Sequence, residues 1–117
     1  MYPSRYFFVL FVLVEKFGVE KFYSNYDEFL NSGIDAVYVA SANVNHHNQV
    51  IKAAQAGKHI LCEKPAALNY WELMAMIEAA KENNVFFMEA FMYRCHPQTK
   101  KLVEILREKI IGEVRTV

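Results

Sequence analysis

Short apolar runs alternate with segments of helical spacing along most of this chain, and most boundaries between them carry their own chemistry. The run 6–14 (YFFVLFVLV) is apolar throughout, and Gly18 stands where a helix can close. Beyond a short extended stretch at 21–23, Ser24 with Asp27 three residues on reads as a capping box. It opens a predicted helix over 25–31 that Gly33 ends. Residues 35–40 (DAVYVA) are short, β-branched and mostly apolar, as expected of a strand in a parallel sheet covered on both faces. A polar elbow at 41–45 leads into a helix over 46–56 with Val50, Ile51, Ala53 and Ala54 as its apolar positions, closed by Gly57.

A second strand is predicted over 59–62 (HILC), stopped before Pro65, whose missing N–H cannot continue a ladder. Asn69 with Glu72 three residues later caps a helix over 70–83, with Leu73, Met74, Ile77 and Ala80 on one stripe. Residues 85–90 (VFFMEA) read as a third strand. A last amphipathic helix over 96–110 places Leu102, Val103, Leu106 and Ile110 at helical spacing, and 113–117 alternate like a strand after Gly112. Strands alternating with helices of ten or more residues predict βαβ units, parallel pairing and an α/β fold.

Composition narrows the function. With 54% apolar residues, four glycines and three prolines, 117 residues suit one core, or part of one. Thirteen basic and thirteen acidic residues balance to zero, so nothing points to nucleic acid or an anionic membrane, and a small neutral partner fits better. Cys62 and Cys95 suggest neither a disulfide framework nor a zinc site, which makes a reducing cytoplasm the expected compartment. The run 6–14 is well short of a membrane span of about 20 residues. Arg5 before it favours an export signal, but 15–18 (EKFG) offer no small-x-small cleavage site.

Two loops carry the candidate chemistry. In open α/β sheets ligands bind beyond the carboxyl ends of the strands, where the elbow 41–45 and Glu63-Lys64-Pro65 both fall. Asn43 and His46 bring side-chain donors and acceptors to a helix N-terminus, which favours anionic or polar ligand groups. His46 and His47 diverge on a helix and make no i, i+4 metal pair, so no metal is expected. His59 and His96 read as structural, and nine Phe and seven Tyr without interleaved basic residues read as core.

Residues 40–46 (ASANVNH), 53–65 (AAQAGKHILCEKP), 89–98 (EAFMYRCHPQ) and 111–115 (IGEVR) resemble the glucose–fructose oxidoreductase / inositol dehydrogenase family (Gfo/Idh/MocA). The resemblance runs through 34–117. It implies a nicotinamide-dependent oxidoreductase acting on a sugar, polyol or dihydrodiol hydroxyl, with NAD or NADP as cofactor. It implies that Lys64 is catalytic, lying beside the nicotinamide and the substrate hydroxyl, and that Ser41, Asn43, His46, Glu63, Lys64, Pro65 and Arg94 bind cofactor. As to fold, it implies a partial doubly wound, Rossmann-type parallel sheet lacking its first βαβ unit. Residues 1–112 would then be part of a dinucleotide-binding domain, with 1–16 an atypical apolar N-terminus, and 113–117 would be the first strand of a second α/β domain.

The departures from the family matter as much. Gly18, Gly33, Gly57 and Gly112 do not make the G-x-G-x-x-G turn that cradles pyrophosphate. By alignment with the family the run 6–14 replaces a helix, whereas by composition it suits a buried strand. Without the first strand, the edge of 35–40 is exposed and can pair with a second copy of the chain. Two functional readings follow: part of a hydride-transferring oxidoreductase, or a non-catalytic member of the same fold, either an inert truncated product or an interaction module. A third takes the apolar N-terminus as a membrane or export signal.

Overall fold

The computed structural model describes residues 15–116, so the run 6–14 and Val117 lie outside the described residues. The chain divides into two compact units after Ile34.

In the first unit, residues 15–17 are helical and α1 spans Tyr26–Leu30. Its cap differs from the expected capping box. Asn25, not Ser24, is the N-cap, and its Oδ1 accepts from the amides of Asp27 at 2.8 Å and Glu28 at 3.3 Å. An asparagine carbonyl one residue nearer the helix reaches both unpaired amides at once, so the start moves by one.

The second unit is built on three strands: β1 (Ala36–Val39), β2 (His59–Cys62) and β3 (Phe87–Glu89). They pair in parallel in the order β1-β2-β3, with Val37 opposite Ile60, Val39 opposite Cys62, and Leu61 opposite Met88. The connections are α2 (Asn43–Gln55) and α3 (Tyr70–Glu82). A 3-10 turn over Met92–Cys95, which periodicity does not reveal, follows β3 and leads into α4 (Pro97–Arg107).

The ends of these elements are chemically specified. Asn69 Oδ1 accepts from the Glu72 amide at 3.0 Å, as its spacing predicts, and Glu72 in turn accepts from the Leu68 amide at 3.0 Å. Helix α2 closes through the Gly57 amide on Ala54 and the Lys58 amide on Ala53, both at 2.9 Å. That closure puts Gly57 at φ +70°, which glycine adopts without steric penalty. His96 caps α4 by accepting from the Gln98 amide, and His59 Nδ1 accepts from the Phe86 amide, so both histidines are structural.

Burial alternates along the strands. Val37, Val39, Ile60 and Cys62 are buried on one face, where α2 packs against β1, β2 and α3 through Val50, Ala53 and Ala54. Each of the valines and the isoleucine gains about 1.5–3 kcal/mol from burial. On α3 the deepest residue is Met76, one position off the expected stripe, with Ala80 beside it; Leu73, Met74 and Ile77 are only half-buried. On the opposite face of the sheet Tyr38 and Met88 are exposed and Leu61 is half-buried. The expectation of a sheet covered on both faces therefore fails within this unit, because α2 packs on the face carrying the buried row and α3 packs against α2.

Two further expectations change. Helix α2 begins at Asn43, so only 41–42 of the expected elbow precede the helix and the residues from Asn43 onward become its first turn. Residues 113–116 form no strand, since no described strand lies alongside to pair with them.

Candidate functional site

The carboxyl ends of β1 and β2 bring the elbow and the Glu63-Lys64-Pro65 loop side by side. The Glu63 amide donates to the Val39 carbonyl at 2.8 Å, which carries the strand pairing one residue past β2. Beyond it the Lys64–Pro65 peptide is cis and the chain turns away.

This loop is held from three directions. From β1, the Tyr38 hydroxyl donates to the Glu63 carboxylate, which also accepts from the Lys64 amide at 3.1 Å. From α2, His46 places Nδ1 at 3.0 Å from the Pro65 carbonyl and Nε2 at 3.1 Å from the Ser41 carbonyl. From β3, Glu89 accepts from the Ala66 amide at 2.9 Å. Lys64, at the centre of these contacts, is exposed, and its ammonium has no hydrogen bond or ion pair among the described residues.

Electrostatics follow from these contacts. The Tyr38 hydroxyl, then the Lys64 amide, hold the Glu63 carboxyl below its ordinary value, with the charges of Lys64 and His46 adding to them. The same bond to Glu63 raises the Tyr38 hydroxyl. Burial pushes the Cys62 thiol up to about 11, helped by the carboxylates of Glu89 and Glu63, so it stays un-ionised at neutral pH.

Of the residues expected at the site, Ser41, His46, Glu63, Lys64 and Pro65 come together, and Asn43 stands exposed in the first turn of α2. Ser41 is engaged, its hydroxyl donating to Gln49 Oε1 at 2.6 Å. His46 is a correction: expected to face a ligand, it is fully buried with both ring nitrogens on backbone carbonyls, and has no atom left to offer. Arg94 sits apart on the 3-10 turn, exposed, with no side-chain partner among the described residues.

Tyr38 and Glu89 are the residues that sequence reasoning missed. A signal existed for Glu89, since a carboxylate within the apolar run 85–90 must find a donor. Tyr38 gave less warning, because its ring suits a strand whatever its hydroxyl does. A cavity of about 280 Å3 on the uncovered face adjoins the loop, lined by Tyr38, Leu61, Glu63, Met88, Phe91 and Met92 among others. Its walls are mostly apolar, with Glu63 and Tyr38 as polar edges. No helix among the described residues is long and apolar enough to cross a membrane.

Comparison with known proteins gives this arrangement a context. A family described as an oxidoreductase family with an NAD-binding Rossmann fold matches residues 8–91. Trans-1,2-dihydrobenzene-1,2-diol dehydrogenase of Xenopus laevis is 37% identical over 101 residues, which is 86% of this chain and 31% of that protein. The crystal structure of myo-inositol 2-dehydrogenase from Lactobacillus plantarum superposes with a TM-score of 0.79 at 29% identity, covering 87% of this chain and 31% of the other. A 3-ketoreductase from Actinomadura kijaniata, in complex with TDP-benzene and NADP, gives 0.77 at 36% identity over 88% of this chain and 33% of its own. The chain thus spans about a third of the length of the relatives it matches.

Proposed function

The chain belongs to the Gfo/Idh/MocA oxidoreductase family, with its NAD-binding Rossmann fold, and on that premise we propose that it forms the nicotinamide side of a site oxidising or reducing a sugar, polyol or dihydrodiol. The observation that carries the reading is Lys64: an ammonium without a hydrogen-bond or ion-pair partner among the described residues, on a loop held from three directions at the carboxyl ends of the strands.

The residues present fit one end of the cofactor better than the other. Lys64, Pro65 and the exposed Asn43 at the start of α2 follow the carboxyl ends of β2 and β1, where the nicotinamide end would enter, and a helix N-terminus favours polar or anionic groups there. The glycines of this sequence make no pyrophosphate turn, and exposed Arg94 is a candidate donor to the phosphates. NAD and NADP stay equal candidates on these residues.

When bound, the nicotinamide accepts or supplies the hydride. The part of Lys64 is the proton. In oxidation its amine takes the proton leaving the substrate hydroxyl as the carbonyl forms, and in reduction its ammonium returns a proton to the carbonyl oxygen. Glu63, occupied by the Tyr38 hydroxyl and the Lys64 amide, serves to hold the loop rather than to form an ion pair with the lysine side chain. The apolar cavity beside it suits the flat, carbon-rich side of a ring.

Titrating the purified chain with NADH and NADPH, followed by nicotinamide fluorescence, tests this. Saturable binding that weakens at least tenfold in Lys64→Ala is expected, on the order of one lost charge-assisted contact. Absence of binding by a folded sample overturns the reading. One observation favours a second reading, in which the chain is an interaction module: among the described residues β1 pairs with β2 alone, leaving a strand edge open to a second copy. Sedimentation analysis that finds only monomer would remove it.

A further inference from the structure

His46 is the one polar or charged residue fully buried among the described residues, and its two hydrogen-bond partners are of one kind. Nε2 meets the carbonyl of Ser41, in the elbow after β1, and Nδ1 meets the carbonyl of Pro65, in the loop after β2. A carbonyl oxygen only accepts. A neutral imidazole has one N–H, so it satisfies one of these carbonyls and turns a lone pair on the other at about 3 Å. Satisfying both requires hydrogen on both nitrogens.

A buried cation needs a counter-charge. The Glu63 carboxylate offers one, since it stands two residues before Pro65 on the loop that His46 holds. Tyr38 and the Lys64 amide already fix that carboxylate in place. The two loops and the ring between them therefore form one unit: an imidazole set against two carbonyls, with the Glu63 carboxylate next to Lys64.

We infer that His46 is a positioning residue, an imidazolium that locks the elbow to the Lys64 loop by donating to the Ser41 and Pro65 carbonyls and so sets where the Lys64 ammonium stands. The consequence for Lys64 rests on the function proposed above; the clamp itself does not. A histidine filling space in the core would need neither both protons nor any link to residues 63–66.

The first measurement needs no variant. In chain labelled with 15N at histidine, long-range 1H–15N correlation at neutral pH should show both His46 ring nitrogens bearing hydrogen; one nitrogen without it overturns the inference. The second compares His46→Gln, which keeps one amide donor, with His46→Phe, which keeps a ring and no donor, using His47→Gln as a neighbouring control. The amide signals of residues 41–43 and 63–66 should move in both His46 variants, more in Phe than in Gln, and stay in the control.

NADH affinity should fall about tenfold in His46→Gln, the loss of one charge-assisted hydrogen bond, without a matching loss of melting temperature. Wild-type affinity in His46→Gln overturns the positioning role. If the wild-type chain binds no dinucleotide, the proposed function fails while the ring-nitrogen and amide measurements still decide the clamp. If both variants unfold, the wild-type ring-nitrogen signals decide it.

Discussion

Cys62 and Cys95 show how far neighbourhood outweighs residue type. Cys62 is fully buried, its thiol pushed up to about 11, whereas Cys95 is exposed on the 3-10 turn. Iodoacetamide on the native chain should therefore label Cys95 and spare Cys62 until denaturant is added, as peptide mass mapping would read. The Tyr38–Glu63 bond predicts a pH signature of opposite sign at its two ends. Glu63 is held below its ordinary 4.5, so its contribution is complete above that pH and disappears as pH falls through the lowered value. Tyr38 is raised above its ordinary 10.0, so its contribution is complete below that pH and disappears as pH rises through the raised value. Denaturation midpoints across pH should show both losses in the wild type, with the alkaline one absent in Tyr38→Phe. At this scale sequence placed the Glu63-Lys64-Pro65 loop just after a strand, and the family resemblance singled out Lys64, but neither could say that His46 turns inward, because a helix N-terminus offers its first turns to ligand and core alike.

Elements were legible where their ends carried a side-chain signal. β2 lies over the expected 59–62, and α3 starts at Tyr70 behind the Asn69 cap, because the signals there have one reading. At α1, Ser24 and Asn25 compete for one role, and the geometry favours asparagine. Asn25→Ala and Asn69→Ala should each cost about 1 kcal/mol in urea denaturation, with Ser24→Ala near zero. A loss in Ser24→Ala equal to that in Asn25→Ala would contradict the cap assignment. The early start of α2 was not legible, since Ala42 caps it without a side-chain hydrogen bond and leaves no mark in the residue pattern. The 3-10 turn over Met92–Cys95 is equally silent, because four residues are too few to show a period.

For the molecule as a whole, parallel β/α alternation was readable because strand and helix periods are distinct, and the three-stranded sheet follows it. One-sided cover within the second unit was not, since an apolar strand looks the same whether one face or both are packed. Neighbours on β2 report the difference. Ile60 is 2% exposed on the covered face, while Leu61 is half-buried on the other. Ile60→Ala should cost about 2–5 kcal/mol and Leu61→Ala less than half as much, measured by the same urea series. Equal costs would mean that both faces are packed in solution.

The three supports of the Lys64 loop have a temporal meaning as well. Tyr38, His46 and Glu89, on β1, α2 and β3, lie 25, 19 and 23 residues from their partners in the loop. Long-range contacts form only after the entropy of the intervening loops has been lost, so a chain with two paired strands holds the lysine loop incompletely. Maturation of the site is thus tied to the docking of β3. The Ala66 amide, bonded to Glu89, should accordingly exchange its hydrogen in step with the Ala90 amide that extends the β2–β3 ladder. A partly assembled chain, newly made or partly melted, would carry the lysine without the setting that gives it a direction.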